Sequence, residues 1–191
     1  MGKNVNFPNK SGNNSRLIKP LIIGIAGAHS GSGKTTVACN ILRNLKDWSA
    51  IKYTKTPLYS SIVDNPTILS EKGKDTAKML KAGAEKVLWI QSPSGELSSL
   101  MNIALNMLSN CRGIVIEGNS AVKAVNPDIL VFVLSDTGKI KPGAVVLMKK
   151  ANIIIHNGIK FPDSLLNKNK FIIKDVEGYI NCLKDLLSKI Q

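Results

Sequence analysis

No acidic residue precedes Asp47, and over the whole chain 26 Lys and Arg face 13 Asp and Glu, a formal net charge of +13. Such an excess draws polyanions: nucleotides, nucleic acid or acidic proteins. Aromatics are also scarce, at 5%. With few rings to stack bases and no recognition motif, nucleic acid is not the expected partner. Cysteine is limited to Cys39, Cys111 and Cys182, with no CxxC pair. That spacing and odd number exclude a disulfide framework. Histidine is limited to His29 and His156, neither near a cysteine in sequence, so no structural zinc site is expected. No apolar run approaches the roughly 18 residues that span a bilayer. The first twenty residues have no hydrophobic signal-like region, and Asn6 stands where a myristoylation match requires Ser or Thr. The expectation is a cytoplasmic protein with no membrane attachment.

What the chain does have is core. At 191 residues and 43% hydrophobic it suits one globular domain. Residues 1–19, rich in Asn, Gly, Ser and Lys, read as a flexible basic tail, and 20–191 as the domain. Short apolar runs at 21–26, 48–54, 87–91, 114–116, 129–134, 152–156 and 171–173 read as strands. Helical periodicity marks 34–45, 74–82, a stretch from Pro93 to Leu108, a short stretch after Pro142, and a last helix capped by Asp175, with Val176, Ile180, Leu183, Leu187 and Ile190 inward. Residues 55–73 carry Pro57, Pro66 and Gly73 without a sustained period and read as a long functional loop. Strands alternating with helices predict an α/β fold: a mostly parallel sheet of about seven strands with helices on both faces. Ligands in such folds bind at the carboxyl ends of the strands. The loop after residue 27, Lys55, Ser92, Glu117, Ser135 and Asn157 all stand there.

The first strand runs into Ala28-His29-Ser30-Gly31-Ser32-Gly33-Lys34-Thr35 and then a helix with Val37, Ile41 and Leu45 on one face. This is the phosphate-binding P-loop pattern, with Ala28 in place of the first glycine and Gly27 just before it. Polyphosphate needs donors at close range. Small residues let successive backbone N–H groups wrap around it, and the helix adds its unpaired N–H groups and the positive end of its dipole. Lys34 supplies a point charge, and the Thr35 hydroxyl is placed to ligate Mg2+. The expected nucleotide-binding residues are His29, Ser30, Gly31, Ser32, Gly33, Lys34, Thr35 and Thr36. The fold is therefore expected to be that of a P-loop NTPase, with GTP or ATP and Mg2+ as ligands.

Glu117 follows an apolar strand, where a carboxylate could hold the magnesium directly or through water. Asp75 opens a helix after the long loop and is a second candidate for the metal or the chemistry. Catalysis is expected to rest on Lys34, Asp75 and Glu117, and the metal on Thr35, Asp75 and Glu117. Lys52 and Lys55 are the candidate substrate contacts, and Asn157 could read a base edge.

Four segments together resemble the molybdopterin-guanine dinucleotide biosynthesis protein B family (MobB): SGSGKTT at 30–36, Lys52 at the end of the second strand, GKDTAKMLKAGA at 73–84, and VIEGN at 115–119. The resemblance spans roughly residues 20–160, and GKDT with AGA is its specific part. It implies a dimeric GTP-binding protein with weak hydrolysis, assisting nucleotide attachment to molybdopterin beside a protein partner. On it, Lys34 and Thr35 hold phosphate and magnesium while Asp75 and Glu117 face the metal or the attacking water. One departure stands out: the family often has a histidine-rich run after the strand-two lysine, and here it is Tyr53-Thr54-Lys55-Thr56. The wider class includes dethiobiotin synthetase, whose strand-two Lys-Pro and Glu-Gly are similar to Lys55-Thr56-Pro57 and Glu117-Gly118. A synthetase or kinase acting on a small acidic molecule, and a non-catalytic nucleotide-binding adaptor, are the alternatives.

Overall fold

In Leu21–Gly27, strand β1, every residue after the first is buried. Ile23 and Ile25 point to one side, and Ile22 and Ala26 to the other. A strand apolar on both faces must be covered on both, which is the condition of a central parallel strand. β1 lies between β5 (Gly113–Glu117) and β6 (Ile129–Val133), parallel to each. The computed structural model describes residues 19–158 and 168–190. The expected basic tail, Lys19 aside, lies outside them.

The other strands are β2 (Trp48–Lys55), β3 (Ser61–Val63), β4 (Val87–Ser92), β7 (Ile153–His156) and β8 (Asn169–Ile172). The helices are α1 (Lys34–Asn44), α2 (Pro66–Leu69), α3 (Asp75–Lys81), α4 (Leu97–Met107), α5 (Asn119–Val125), α6 (Pro142–Lys150) and α7 (Val176–Ser188). The sheet order is β3-β4-β2-β5-β1-β6-β7-β8, and among the described residues only the β3–β4 pair is antiparallel. Helix α1 packs with α3 and α7 over one face, while α4, α5 and α6 cover the other. Side chains such as Ile23, Ile25, Ile41, Ile51 and Phe132 are fully buried, each contributing about 1.5–3 kcal/mol. Because the strands are parallel, β1, β2, β4 and β5 end on one edge of the sheet.

The α/β reading is borne out, with corrections of detail. Among the described residues the sheet has eight strands, against the expected about seven. The stretch 55–73 is not wholly loop: β3 pairs with the outer edge of β4, and α2 follows, capped by the Asn65 side chain. Three and four residues are too few to show a period. Pro93 opens a turn rather than a helix, with Glu96 N–H reaching Pro93 O at 3.3 Å, and α4 starts at Leu97. Helix α5 has no counterpart in the sequence reading, and the last strand is Asn169–Ile172 rather than 171–173. Ile190, expected inward, is 44% exposed because α7 stops at Ser188. Gly83 ends the α3 turn in a left-handed conformation at φ +96°, and Asp175 does cap α7, accepting from Gly178 N–H.

Candidate functional site

The loop between β1 and α1 is held from both sides. Ala28 N–H donates to Val133 O of β6 at 2.9 Å, and Ala28 O accepts from Lys141 N–H, just before α6, at 3.1 Å. On the β5 side, the Asn119 side chain takes over where the strand has ended. Its Oδ1 accepts from Gly27 N–H at 2.9 Å, and its Nδ2 donates to Gly27 O at 2.8 Å. A Cβ on Gly27 would meet Ser32 Oγ, Lys34 Cγ and Val133 O, so the loop folds back only over a glycine. Gly33 stands at φ +94°, a left-handed conformation that a side chain would strain, and its carbonyl opens the α1 hydrogen-bond ladder by accepting from Val37 N–H.

Lys34 reaches back across this loop. Its Nζ donates to His29 O at 2.7 Å and lies 3.5 Å from Ser32 Oγ. Burial pushes its proton affinity below the ordinary lysine range, against the opposing pull of Glu117. Thr35 Oγ1 donates to Glu117 Oε2 at 2.9 Å.

Glu117, 1% exposed, ends β5. β2 and β5 are neighbours in a register that sets Lys52 against Glu117. Their side chains meet, Lys52 Nζ to Glu117 Oε1, at 2.5 Å. The same ammonium lies 2.8 Å from Asp75 Oδ2 at the start of α3. One turn on, Lys78 Nζ reaches Asp75 Oδ1 at 2.9 Å. All four carboxylate oxygens are thus engaged. Burial opposes the Lys52 charge, but Glu117 and Asp75 outweigh it and raise its pKa. Burial likewise opposes the Asp75 charge, yet hydrogen bonds from Lys52 and Lys78 hold its carboxyl at about 2. A buried carboxylate stripped of its cation costs on the order of 3–5 kcal/mol, so Lys52 helps hold the fold together here.

These groups line one cavity of about 270 Å³, together with loop residues between Ser30 and Thr36. It presents three ammonium groups, a helix N-terminus and two carboxylates. Such a surface can take a polyanion at the loop and a hard cation at the acids.

Of the residues marked in the sequence, the fold gathers Ser30, Gly31, Gly33, Lys34, Thr35, Thr36, Lys52, Asp75 and Glu117 around this cavity. Ser32 lies within the loop and is buried. The His29 ring bonds to the neighbouring Ser30 carbonyl. Lys55 is exposed at the end of β2, and Asn157 is exposed just after β7; neither lines the cavity. Ser135 bonds Thr137, and Ser92 is buried with an unpartnered hydroxyl among the described residues. Lys78 and Asn119 were not anticipated as parts of the site. The Asp75–Lys78 spacing of i, i+3 was visible as a helical ion pair. Nothing local distinguishes Asn119 from a turn residue.

No protein-family model matches the chain, and no curated protein matches it. Among solved structures, HypB from Helicobacter pylori, in complex with nickel, is similar with a TM-score of 0.57 at 15% identity, over 90% of this chain and 86% of that one. At that identity the likeness concerns the backbone arrangement. Together with the eight-stranded, mostly parallel sheet, it shows that the chain has the α/β fold of the P-loop NTPases.

Proposed function

We propose that this protein binds a nucleoside triphosphate, GTP or ATP, with Mg2+, hydrolyses it slowly, and serves as a MobB-like helper in cofactor assembly. The observation that carries the reading is the convergence of Lys34, Thr35 and Glu117 with Lys52 and Asp75 on the P-loop cavity. The cofactor-assembly role rests on the four sequence segments named above.

Phosphate oxygens would take the loop N–H groups and draw Lys34 Nζ from the His29 carbonyl. The donor set suits magnesium: the Thr35 hydroxyl and the carboxylates of Glu117 and Asp75 are hard oxygen ligands. When bound, the ion neutralises charge on the transferring phosphoryl group. Lys52 is already paired with both acids, so one of its contacts must give way or the metal must be held through water. In the resting site the hydrogen bonds from Lys52 and Lys78 keep Asp75 ionised, which favours a positioning role over proton abstraction. Its work is to orient. Catalysis is therefore positional and electrostatic, with Lys34 and the loop amides stabilising charge.

Turnover of GTP and ATP with Mg2+ tests this directly. Lys34→Ala is expected to lower it about a hundred- to a thousandfold, the usual cost of losing one such donor. Equal turnover in that variant would falsify the proposal. Thermal shifts with each nucleotide, with and without Mg2+, choose between guanine and adenine. Homodimerisation, a protein partner, Lys55 as a substrate contact and Asn157 as a base reader remain parts of the same proposal. Leu58, 82% exposed, and Tyr59 on the β2–β3 connection support a partner surface near the end of β2.

A further inference from the structure

Beside the phosphate cavity lies a second, smaller one of about 120 Å³. Lys52, Thr54, Lys74, Asp75, Thr76 and Trp89 line it. Lys52 and Asp75 belong to both cavities, so a single ion pair separates them.

The walls are built by register. Lys52 of β2 stands opposite Trp89 of β4. The indole is only partly buried on a strand otherwise largely packed away. Its Nε1–H donates to Thr54 Oγ1 at 3.0 Å, which fixes the ring and leaves the threonine proton free to donate elsewhere. Lys74 Nζ sits 4.9 Å from the ring centroid, a cation–π contact that holds it at the cavity's edge. It also donates to Ile68 O at 3.2 Å and pairs with Glu71 at 2.9 Å. Glu71 is more than half exposed, so that pair is weak. The Thr76 hydroxyl is spent on Leu69 O at 2.8 Å.

Charge and shape select the occupant. Both Asp75 oxygens are already engaged by Lys52 and Lys78. Lys74 is therefore the cation with charge to offer, and one added negative charge meets it. The flat indole rewards a small apolar body and gives nothing to a bare inorganic ion. We infer that this cavity binds a small organic monocarboxylate, gripped by Lys74 and Thr54 and laid against Trp89. Its position next to the terminal phosphate rests on the nucleotide reading above; its existence as a site does not.

The test titrates acetate, benzoate and inorganic phosphate into the full chain, without nucleotide and again with Mg2+ and a non-hydrolysable triphosphate. Calorimetry reads binding, and tryptophan emission locates it, because the other tryptophan, Trp48, is 3% exposed. Trp89→Phe supplies the background emission. Saturable binding of benzoate or acetate is expected, tighter than phosphate. It should weaken at least tenfold in Lys74→Gln and return in Lys74→Arg. Absence of saturable carboxylate binding in the nucleotide-free chain overturns the inference. Phosphate binding as tightly as the carboxylates, or a Lys74→Gln chain of wild-type affinity with an unchanged circular dichroism spectrum, overturns it too. Nucleotide thermal shifts on the same samples are a separate readout, so either reading can fail while the other stands.

Discussion

Asp75 shows how a single side chain ties chemistry to stability. Its carboxyl sits at about 2 in the folded chain, against about 3.9 in an unfolded one. A depressed value adds stability that is complete above the unfolded value and lost as pH falls through the folded one. The window is thus roughly pH 4 down to 2. Asp75→Asn is expected to flatten that part of the acid limb while lowering stability at pH 7. Denaturant unfolding at steps from pH 2 to 7 checks this; parallel wild-type and variant profiles would contradict it. Asp75, Glu117 and Lys34 were legible as candidates because each stands at a marked place in the chain: a helix start, a strand end, a P-loop. The role of Lys52 as the cation shared by two acids was not. It depends on β2 lying beside β5 in one register, and no local pattern specifies that.

Elements were legible in proportion to their length and punctuation. Strand β1, the loop and α1 announce themselves through glycines, Gly33-Lys34-Thr35 and an apolar helical face. β3 and α2 are too short to carry a period, and α5 hides in the Glu-Gly-Asn run that reads as a turn. Yet α5 matters, because its first residue, Asn119, clamps Gly27 with two hydrogen bonds. Asn119→Ala leaves both Gly27 groups without that partner. The expected cost is about 1–3 kcal/mol in unfolding free energy, with nucleotide-induced thermal shift reduced as the loop loses one support. Unfolding curves and nucleotide titrations measure both. A variant with wild-type stability would show that the clamp contributes little.

At the scale of the molecule, fold class followed from alternation of strands and helices, whereas sheet order did not. Strands β2 and β5 are separated in sequence by three helices and two other strands but are adjacent in the sheet. No helix among the described residues is long and apolar enough to cross a membrane. The net charge of +13 bears on association rather than on fold. Nucleotide capture is expected to weaken severalfold between about 0.05 and 0.5 M salt as screening shortens the reach of that field. Stopped-flow association rates across that range test it, and a salt-independent rate would show that the surplus lysines do not steer the ligand.

The ammonium shared by Asp75 and Glu117 is a counter-ion welded to the backbone. Unlike a dissolved cation it cannot be diluted or chelated away, so the two acids never face each other bare. The resting fold needs no divalent ion to keep them together, and a metal that arrives must either take over one of the incumbent's contacts or reach the acids through water.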